Sequence, residues 1–307
     1  MRTRAAFFTL VILCSFPVLS VSADVYSYGR EYTVIGSIES YRVQEKESLI
    51  EIARKFDLGY NAIIDANPGL DPFVPGEDAA VVIPRFWILP DVELQKGIVI
   101  NITEMRLYYF FEQSKEKVVK TFPIGIGDEG FDTPVGSFKV IQKIVDPVWH
   151  VPASIRKERP ELPTAVPPGP DNPLGSHALR LSLGDVLIHG TNRPFAVGRR
   201  VTHGCIRLYP EDIPRLYSMV PNGLKVTIVR QPVKVGVRGG KVYIEVHRDD
   251  TQSGLNYLNE AVSLLTKKGL LKAVSTEKLY EAVEEKQGFP VEISPSESKG
   301  SKNPPDS

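Results

Sequence analysis

A mainly β protein, with a small βααβ unit before it and a helical extension behind it, is the fold class that the sequence predicts. Three observations carry this. From Gly97 onward, short runs rich in Val, Ile, Tyr and Phe alternate with turn residues. Residues 41–84 set two helical periodicities between two strand-like alternations. After Val246 the apolar residues recur only at helical spacing.

At the N-terminus, Arg2 and Arg4 precede an apolar run, Ala5 to Val21, that ends in Val21-Ser22-Ala23. This is the pattern of a secretory signal peptide, residues 1–23, cleaved after Ala23. The other reading is an uncleaved membrane anchor, against which Ser15, Pro17 and Ser20 interrupt the run. Leu13 precedes Cys14, where a lipoprotein signal needs a small residue. No later segment is apolar enough to span a bilayer, so the expected location is exported, in the periplasm. Cleavage removes two Arg and no acid. It changes 37 basic and 37 acidic residues to 35 and 37, a net charge of −2. That balance is no footprint for nucleic acid.

Residues 24–40 read as a lead-in, and a small unit spans about 39–85. Tyr41-Arg42-Val43 opens it as a strand. Ser48 caps a helix with Leu49, Ile52, Ala53 and Phe56 on its apolar face. A second helix carries Ala62, Ile63, Ile64 and Ala66 and stops at Asn67-Pro68-Gly69. Pro75-Gly76 turns the chain into Val81-Val82-Ile83-Pro84. Residues 85–94, with Pro84 and Pro90 at either side of Phe86 and Trp87, read as a stiff linker. The β domain, 96–230, has candidate strands at 98–102, 106–111, 117–125, 136–145, 178–182, 185–189 and 224–230, and one helix at 210–220. Its Pro-rich loop 146–177 is long enough to suggest function. A β-strand and helical extension occupies 231–290. It holds a strand at 241–247, the stripe Leu255, Leu258, Val262 and Leu265, and a helix capped by Ser275. Residues 291–307 read as a disordered tail, apolar side chains being absent from 294 on.

Of two cysteines, Cys14 leaves with the signal, so Cys205 remains single in an oxidising compartment. It lies in Thr202-His203-Gly204-Cys205-Ile206-Arg207-Leu208, downstream of His189-Gly190-Thr191-Asn192. A strand end at His189 and a returning loop can bring the imidazole against the thiol, where it would favour thiolate near neutral pH. Gly204 allows close backbone approach, and its N–H with that of Cys205 suits an oxyanion. Two other readings stay open: His189, His203 and Cys205 as ligands of a catalytic zinc, and all three as packed core groups.

The full string resembles the active site of the L,D-transpeptidase (YkuD-type) catalytic domain. Met105 to Phe110, Phe122 to Gly127, Thr133 to Gly136, Pro147 to Trp149 and Pro167 to Gly175 agree with it. The resemblance covers about 96–230 and implies a β-sandwich. It is nearest the periplasmic subgroup that cross-links peptidoglycan or attaches a lipoprotein to it. It implies Cys205 as nucleophile, His189 as general base, the Gly190 carbonyl as its orienter, His203 as a supporting residue and Gly204 as an oxyanion donor. Arg207, where many members carry Asn, would pair with a carboxylate of the stem peptide, and Thr202 and Asn192 would line the substrate. No metal and no cofactor are implied. The donor would be a tetrapeptide stem, and the acceptor an amine of a second stem or of a lipoprotein. Water in its place gives an L,D-carboxypeptidase, and a dormant domain gives a wall-binding scaffold.

The 39–85 unit resembles the LysM module on Tyr41, Val43, Ser48-Leu49, Ile52-Ala53, Phe56, Asn61, Asn67-Pro68, Pro75-Gly76 and Ile83-Pro84. That implies a hold on the glycan of peptidoglycan; a spacer that has lost its ligand is the alternative. The family has Gly before the acidic residue of the first turn, and Lys46 precedes Glu47 here. Lysine tolerates positive φ poorly, so a different turn is expected.

Overall fold

The computed structural model describes residues 25–249, 251, 252 and 254–296. The signal peptide read at 1–23 and residues 297–307 of the tail lie outside them. Strands β1 (Val25–Ser27) and β2 (Val34–Arg42) lead to helices α1 (Leu49–Lys55) and α2 (Tyr60–Asp65) and strand β3 (Ala80–Ile88). The β region runs through β4 (Gly97–Asn101), β5 (Arg106–Gln113), β6 (Glu116–Pro123), β7 (Ile126–Gly127), β8 (Gly136–Val145), β9 (Trp149–His150), helix α3 (Ala153–Glu158), β10 (Ala165–Val166) and β11 (His177–Leu181). It continues with β12 (Leu187–His189), β13 (Arg200–Thr202), β14 (Ile206–Arg207), helix α4 (Asp212–Met219) and β15 (Lys225–Val229). The C-terminal part holds β16 (Val233–Arg238), β17 (Lys241–Val246), α5 (Tyr257–Lys267), α6 (Thr276–Glu285) and β18 (Val291–Glu292).

The first unit has the expected βααβ order. Ser48 starts α1 with a reciprocal capping box: its Oγ accepts from Glu51 N–H (3.2 Å), and Ser48 N–H donates to the Glu51 carboxylate (2.9 Å). Strands β2 and β3 pair antiparallel from Val34↔Ile88 to Arg42↔Ala80. The lead-in and the linker expected at 85–94 are therefore partly strand. Pro84, which hid the alternation of Arg85 to Ile88, sits opposite Ile38. A two-stranded ribbon leaves each strand one free edge, where a missing N–H is tolerated. Lys46 adopts φ 58°, so the turn forms with a lysine in the left-handed region.

One nine-stranded sheet runs β1-β6-β5-β4-β15-β8-β11-β12-β14. Strand β8 belongs to both of its halves. Residues 136–139 pair with β15, and 140–145 pair with β11. The sheet folds over there into two layers. Ile98, Ile100, Leu107 and Phe122 from one layer meet Leu179, Leu181, Ile188 and Ile206 from the other, with Ile213 and Leu216 of α4 alongside. All five residues of β4 are buried. Ile98 and Ile100 face that core. Val99 faces the opposite way and joins Tyr108, Phe110 and Val119 against Leu49, Ile52 and Ile83 of the first unit. Such a strand reads as a continuous apolar run because both of its faces are covered.

The C-terminal helices pack on their own strands. Leu265, Leu279 and Val283 cover Val235, Val242 and Ile244. Strand β16 went unread although Val233, Val235 and Val237 alternate along it. Ile293 is fully buried and Val291–Glu292 pair with β17, so residues 291–294 belong to the fold and not to the tail. A buried ammonium joins the three parts. Lys234 Nζ donates to Glu104 (2.8 Å), Glu245 (2.9 Å) and the Ile88 carbonyl (2.7 Å). Glu104, Glu245 and His247 could together ligate a cation, but the Lys234 ammonium already sits between the two carboxylates. Among the described residues no helix is long and apolar enough to cross a membrane.

Uncovering Val99, Tyr108, Phe110 and Val119 would cost about 1.5–3 kcal/mol each, together comparable to a whole domain's stability of about 5–15 kcal/mol. A fragment starting at residue 95 is thus expected to lack a cooperative thermal transition and to bind a hydrophobic dye. A sharp transition near that of the whole chain would refute this covering role.

Candidate active site

Strand β12 pairs parallel with β14, Ile188↔Ile206 and His189↔Arg207. Alternation then sorts the side chains. Ile188 and Ile206 point into the core between the layers, which places Leu187, His189, Cys205 and Arg207 on the other face. Cys205 packs there with Leu174, Ala178, Leu187 and Trp149.

His189 is buried, and its Nδ1 lies 2.6 Å from the Gly190 carbonyl. Burial, together with the Arg207 guanidinium, pushes its pKa down to about 3, against the carbonyls of Gly190 and Leu174, which favour the charged ring. The ring is neutral at neutral pH. Burial pushes the Cys205 thiol up, offset in part by the Leu187 amide and by Arg207. The expected depression of the thiol by an imidazolium does not arise, because burial keeps the imidazole uncharged. The Cys205 Sγ is turned to the Asp185 carbonyl, 3.8 Å away, and makes no hydrogen bond to His189.

The turn before Cys205 is held from two sides. Thr202 Oγ1 donates to the Cys205 carbonyl (2.6 Å), and Thr133 Oγ1 donates to the Gly204 carbonyl (3.1 Å). Gly204 has φ 94°, a conformation that favours glycine. The N–H groups of Gly204 and Cys205 meet no acceptor among the described residues. Thr202, expected to line the substrate, is buried and serves this turn instead. His203 is exposed and lies on Phe131, ring centroids 4.2 Å apart. Among the described residues, His189, His203 and Cys205 do not bring their donor atoms within 4.8 Å of one another.

A cavity of about 370 Å³ opens beside this face, lined among others by Trp149, Leu162, Asn192, Arg193, His203 and Arg207. The long loop forms its far wall. That loop is stapled by buried Asn172, whose Nδ2 donates to the carbonyls of Pro147 (2.8 Å), Val166 and Pro167. Asn192 Nδ2 donates to the Asp171 carbonyl (2.9 Å), tying the two walls together. Arg207 has no ion-pair partner among the described residues, and its Nε is buried without an acceptor. Burial and the nearby Arg193 guanidinium lower its pKa. Sequence reasoning missed Arg193 and Thr133. Arg193 looks like any loop arginine, and Thr133 signals only as a residue fixed before Pro134. A second hollow, about 280 Å³, lies between Lys46-Glu47 and Phe73 to Glu77 on the first unit.

His189 is neutral in the folded chain down to about pH 3, whereas an unfolded histidine protonates near 6.5. Its stabilisation is therefore present above about pH 6.5 and is lost as pH falls towards 3. By pH 4 the loss reaches roughly 3 kcal/mol. The stability gap between wild type and His189→Gln should narrow by about that much between pH 7 and pH 4 in urea unfolding; a constant gap would contradict the buried neutral ring. The alkylation rate of Cys205 by iodoacetamide should climb about tenfold per pH unit from pH 6 to 9. A plateau at the acidic end would instead reveal a preformed thiolate–imidazolium pair.

The model of the L,D-transpeptidase catalytic domain matches residues 95–228, and that of the LysM domain matches residues 41–72. A probable L,D-transpeptidase, YcfS, of Escherichia coli K12 is 40% identical over 262 residues, covering 80% of each chain. The probable L,D-transpeptidase ErfK/SrfK of Salmonella typhimurium is 35% identical over 309 residues, 96% of this chain and 98% of its own. A solved L,D-transpeptidase from Mycobacterium smegmatis is 22% identical with a TM-score of 0.34, covering 50% of this chain and 63% of that one. The chain belongs to the YkuD family of L,D-transpeptidases and carries a LysM module.

Proposed function

We propose that Cys205 is the nucleophile of a peptidoglycan L,D-transpeptidase and His189 its general base. The observation that carries this reading is the one free thiol among the described residues, sharing one strand face with a neutral histidine. With Nδ1–H donated to the Gly190 carbonyl, Nε2 keeps a lone pair for a proton. For this the sulfur must leave the Asp185 carbonyl and reach the imidazole. The sulfur attacks the carbonyl carbon of the stem's third residue as its proton passes to His189. The carbonyls of Gly190 and Leu174 stabilise the imidazolium. The oxyanion takes the free N–H groups of Gly204 and Cys205. When the C–N bond breaks, His189 returns the proton to the leaving amine, D-alanine departs, and a thioester remains on Cys205. An acceptor amine then attacks the thioester, His189 removes a proton from it, and the thiol is restored.

Arg207, with Arg193 beside it, suits a carboxylate of the stem: among the described residues neither guanidinium is ion-paired, and the buried Nε of Arg207 awaits an acceptor, while Glu158 and Asp171 also line the cavity. Asn192 and His203 line the same cavity. The LysM hollow, with exposed Phe73 and Val74 at its rim, is the place for glycan. The acceptor is an amine of a second stem or of a lipoprotein, and the compartment is the periplasm, entered through the signal peptide at 1–23.

Intact-mass spectrometry after incubation with a disaccharide-tetrapeptide should show a gain equal to the donor minus D-alanine, absent in Cys205→Ala. Arg207→Gln should raise the donor KM by roughly 10- to 100-fold, the loss of one charge-assisted contact. Turnover in Cys205→Ala would overturn the mechanism; an unchanged KM in Arg207→Gln would remove the carboxylate contact alone.

A further inference from the structure

We infer that the LysM unit is a positioning part of the transpeptidase site, its Gly59–Asn61 edge bracing the segment that presents Cys205. The inference rests on the reading of Cys205 as nucleophile.

The segment between His189 and Cys205 passes between two fixed surfaces. On one side it is hydrogen-bonded to the β domain. Gly198 N–H donates to Ile124 O (3.0 Å), Ile126 N–H to Arg199 O (3.1 Å) and Asp128 N–H to Thr202 O (2.8 Å), while β13 lies parallel to β7. On the other side it meets the LysM unit. Tyr60 N–H donates to Val197 O (3.1 Å), and Asn61 N–H donates to Gly198 O (3.2 Å). These are the first two amides of α2, which a helix cannot satisfy internally. Gly59, its N-cap, offers no side chain to take them. The carbonyls of the catalytic segment cap the LysM helix in its place.

The contact is backbone on backbone. A Cβ on Gly198 would stand 2.1 Å from Tyr60 N, and one on Gly59 would stand 2.9 Å from Gly198 Cα. Gly198 also has φ 80°, so an alanine there is strained twice. Arg199 lays its guanidinium over the Tyr60 ring, 3.7 Å from the centroid. Asn61 Nδ2 donates to Glu104 O (2.9 Å), and Tyr209 Oη donates to Leu58 O (2.9 Å). The boundary is extended by Arg54, which grips Glu211 with two nitrogens (2.8 and 2.9 Å). From Arg199 only five residues remain to Cys205 and its carbonyl bond from Thr202. A shift of the LysM edge therefore passes into the turn whose amides face the oxyanion.

A glycan-free tetrapeptide donor with an amine acceptor gives the LysM unit nothing to bind, so it isolates this role from wall anchoring. Turnover by the full mature chain is measured for wild type, Tyr60→Ala, Tyr60→Phe and Gly59→Val, with Ile83→Val as a control that weakens the LysM core away from the edge. Tyr60→Ala and Gly59→Val should lower kcat by roughly 10- to 100-fold, the scale of a misplaced reacting group, with KM moved less than about threefold. Tyr60→Phe, which keeps a ring under Arg199, should retain kcat. Ile83→Val should lower Tm but leave kcat alone. Folded Tyr60→Ala turning over at the wild-type kcat would overturn the brace, and so would a fall in kcat for Ile83→Val equal to that of Tyr60→Ala. Should Gly59→Val not fold, the Tyr60 pair decides. A wild type unable to release D-alanine would overturn the transpeptidase reading itself, and the brace with it.

Discussion

Strand β4 has no solvent face, and most of the architecture follows from that. Its inner residues meet the second layer of the folded sheet, and its outer residue Val99 meets the LysM core together with Tyr108, Phe110 and Val119. A sheet apolar on both sides has to be covered on both sides. The LysM unit is thus a wall of the catalytic core, where sequence alone suggested a separate module on a stiff linker. The buried Lys234 adds direction to this apolar contact. It is bonded to the end of β3, to the β4–β5 turn and to β17, so the three parts meet in one orientation. Removing one partner of such a buried pair strands a charge and costs about 3–5 kcal/mol, which makes the junction specific.

The same burial sets the chemistry. In an exposed site an imidazole beside a thiol would charge readily and carry it to thiolate. Here His189 and Cys205 are both pushed toward their neutral forms by desolvation. On the proposed mechanism the proton moves during attack and not before it, and two backbone carbonyls take the orienting part that a carboxylate holds in other catalytic sets. A carbonyl orients the ring without adding a buried negative charge, and this lets the site remain closed on one side. Arg207 fits the same logic. Its charge helps hold His189 neutral and lowers the thiol, and it faces a cavity where substrate can supply the counter-charge.

Much of the site was legible because it is local in sequence. His189, Gly190, Gly204, Cys205 and Arg207 stand out by residue type and spacing, and two strands of regular register bring His189, Cys205 and Arg207 onto one face. Thr202 was misread because a threonine beside the nucleophile resembles a substrate contact. Only the fold shows its hydroxyl turned back to the Cys205 carbonyl. Arg193 leaves no local mark, and Thr133 stands out only within the Thr133 to Gly136 segment of the resemblance, its bond to the Gly204 carbonyl being made from a distant part of the chain. In the fold, helices with Ser caps were read well, since their signals lie within a few residues. The ends of β2 and β3 were lost where a glycine or a proline breaks the alternation, while β16 alternates regularly at Val233, Val235 and Val237 and was passed over. Lys234 is buried because its counter-charges come from Glu104 and Glu245, a pairing no window of sequence contains.

A docked LysM unit changes what wall binding means for the reaction. On a flexible linker, binding raises the local concentration of stems in all orientations. On a fixed platform, a glycan held as proposed in the hollow beside Phe73 and Val74 would lie at a set distance and direction from Cys205, so stems projecting along one side of that strand would be favoured over the rest. The selection is geometric and needs no contact with the peptide itself. The contact that fixes the platform, α2 capped by Val197 and Gly198, is also the one that steadies the cysteine turn. Glycan position and nucleophile position are therefore set by the same few backbone atoms. A change at Gly59 or Gly198 acts on both at once, whereas a change at Phe73 acts on the first alone.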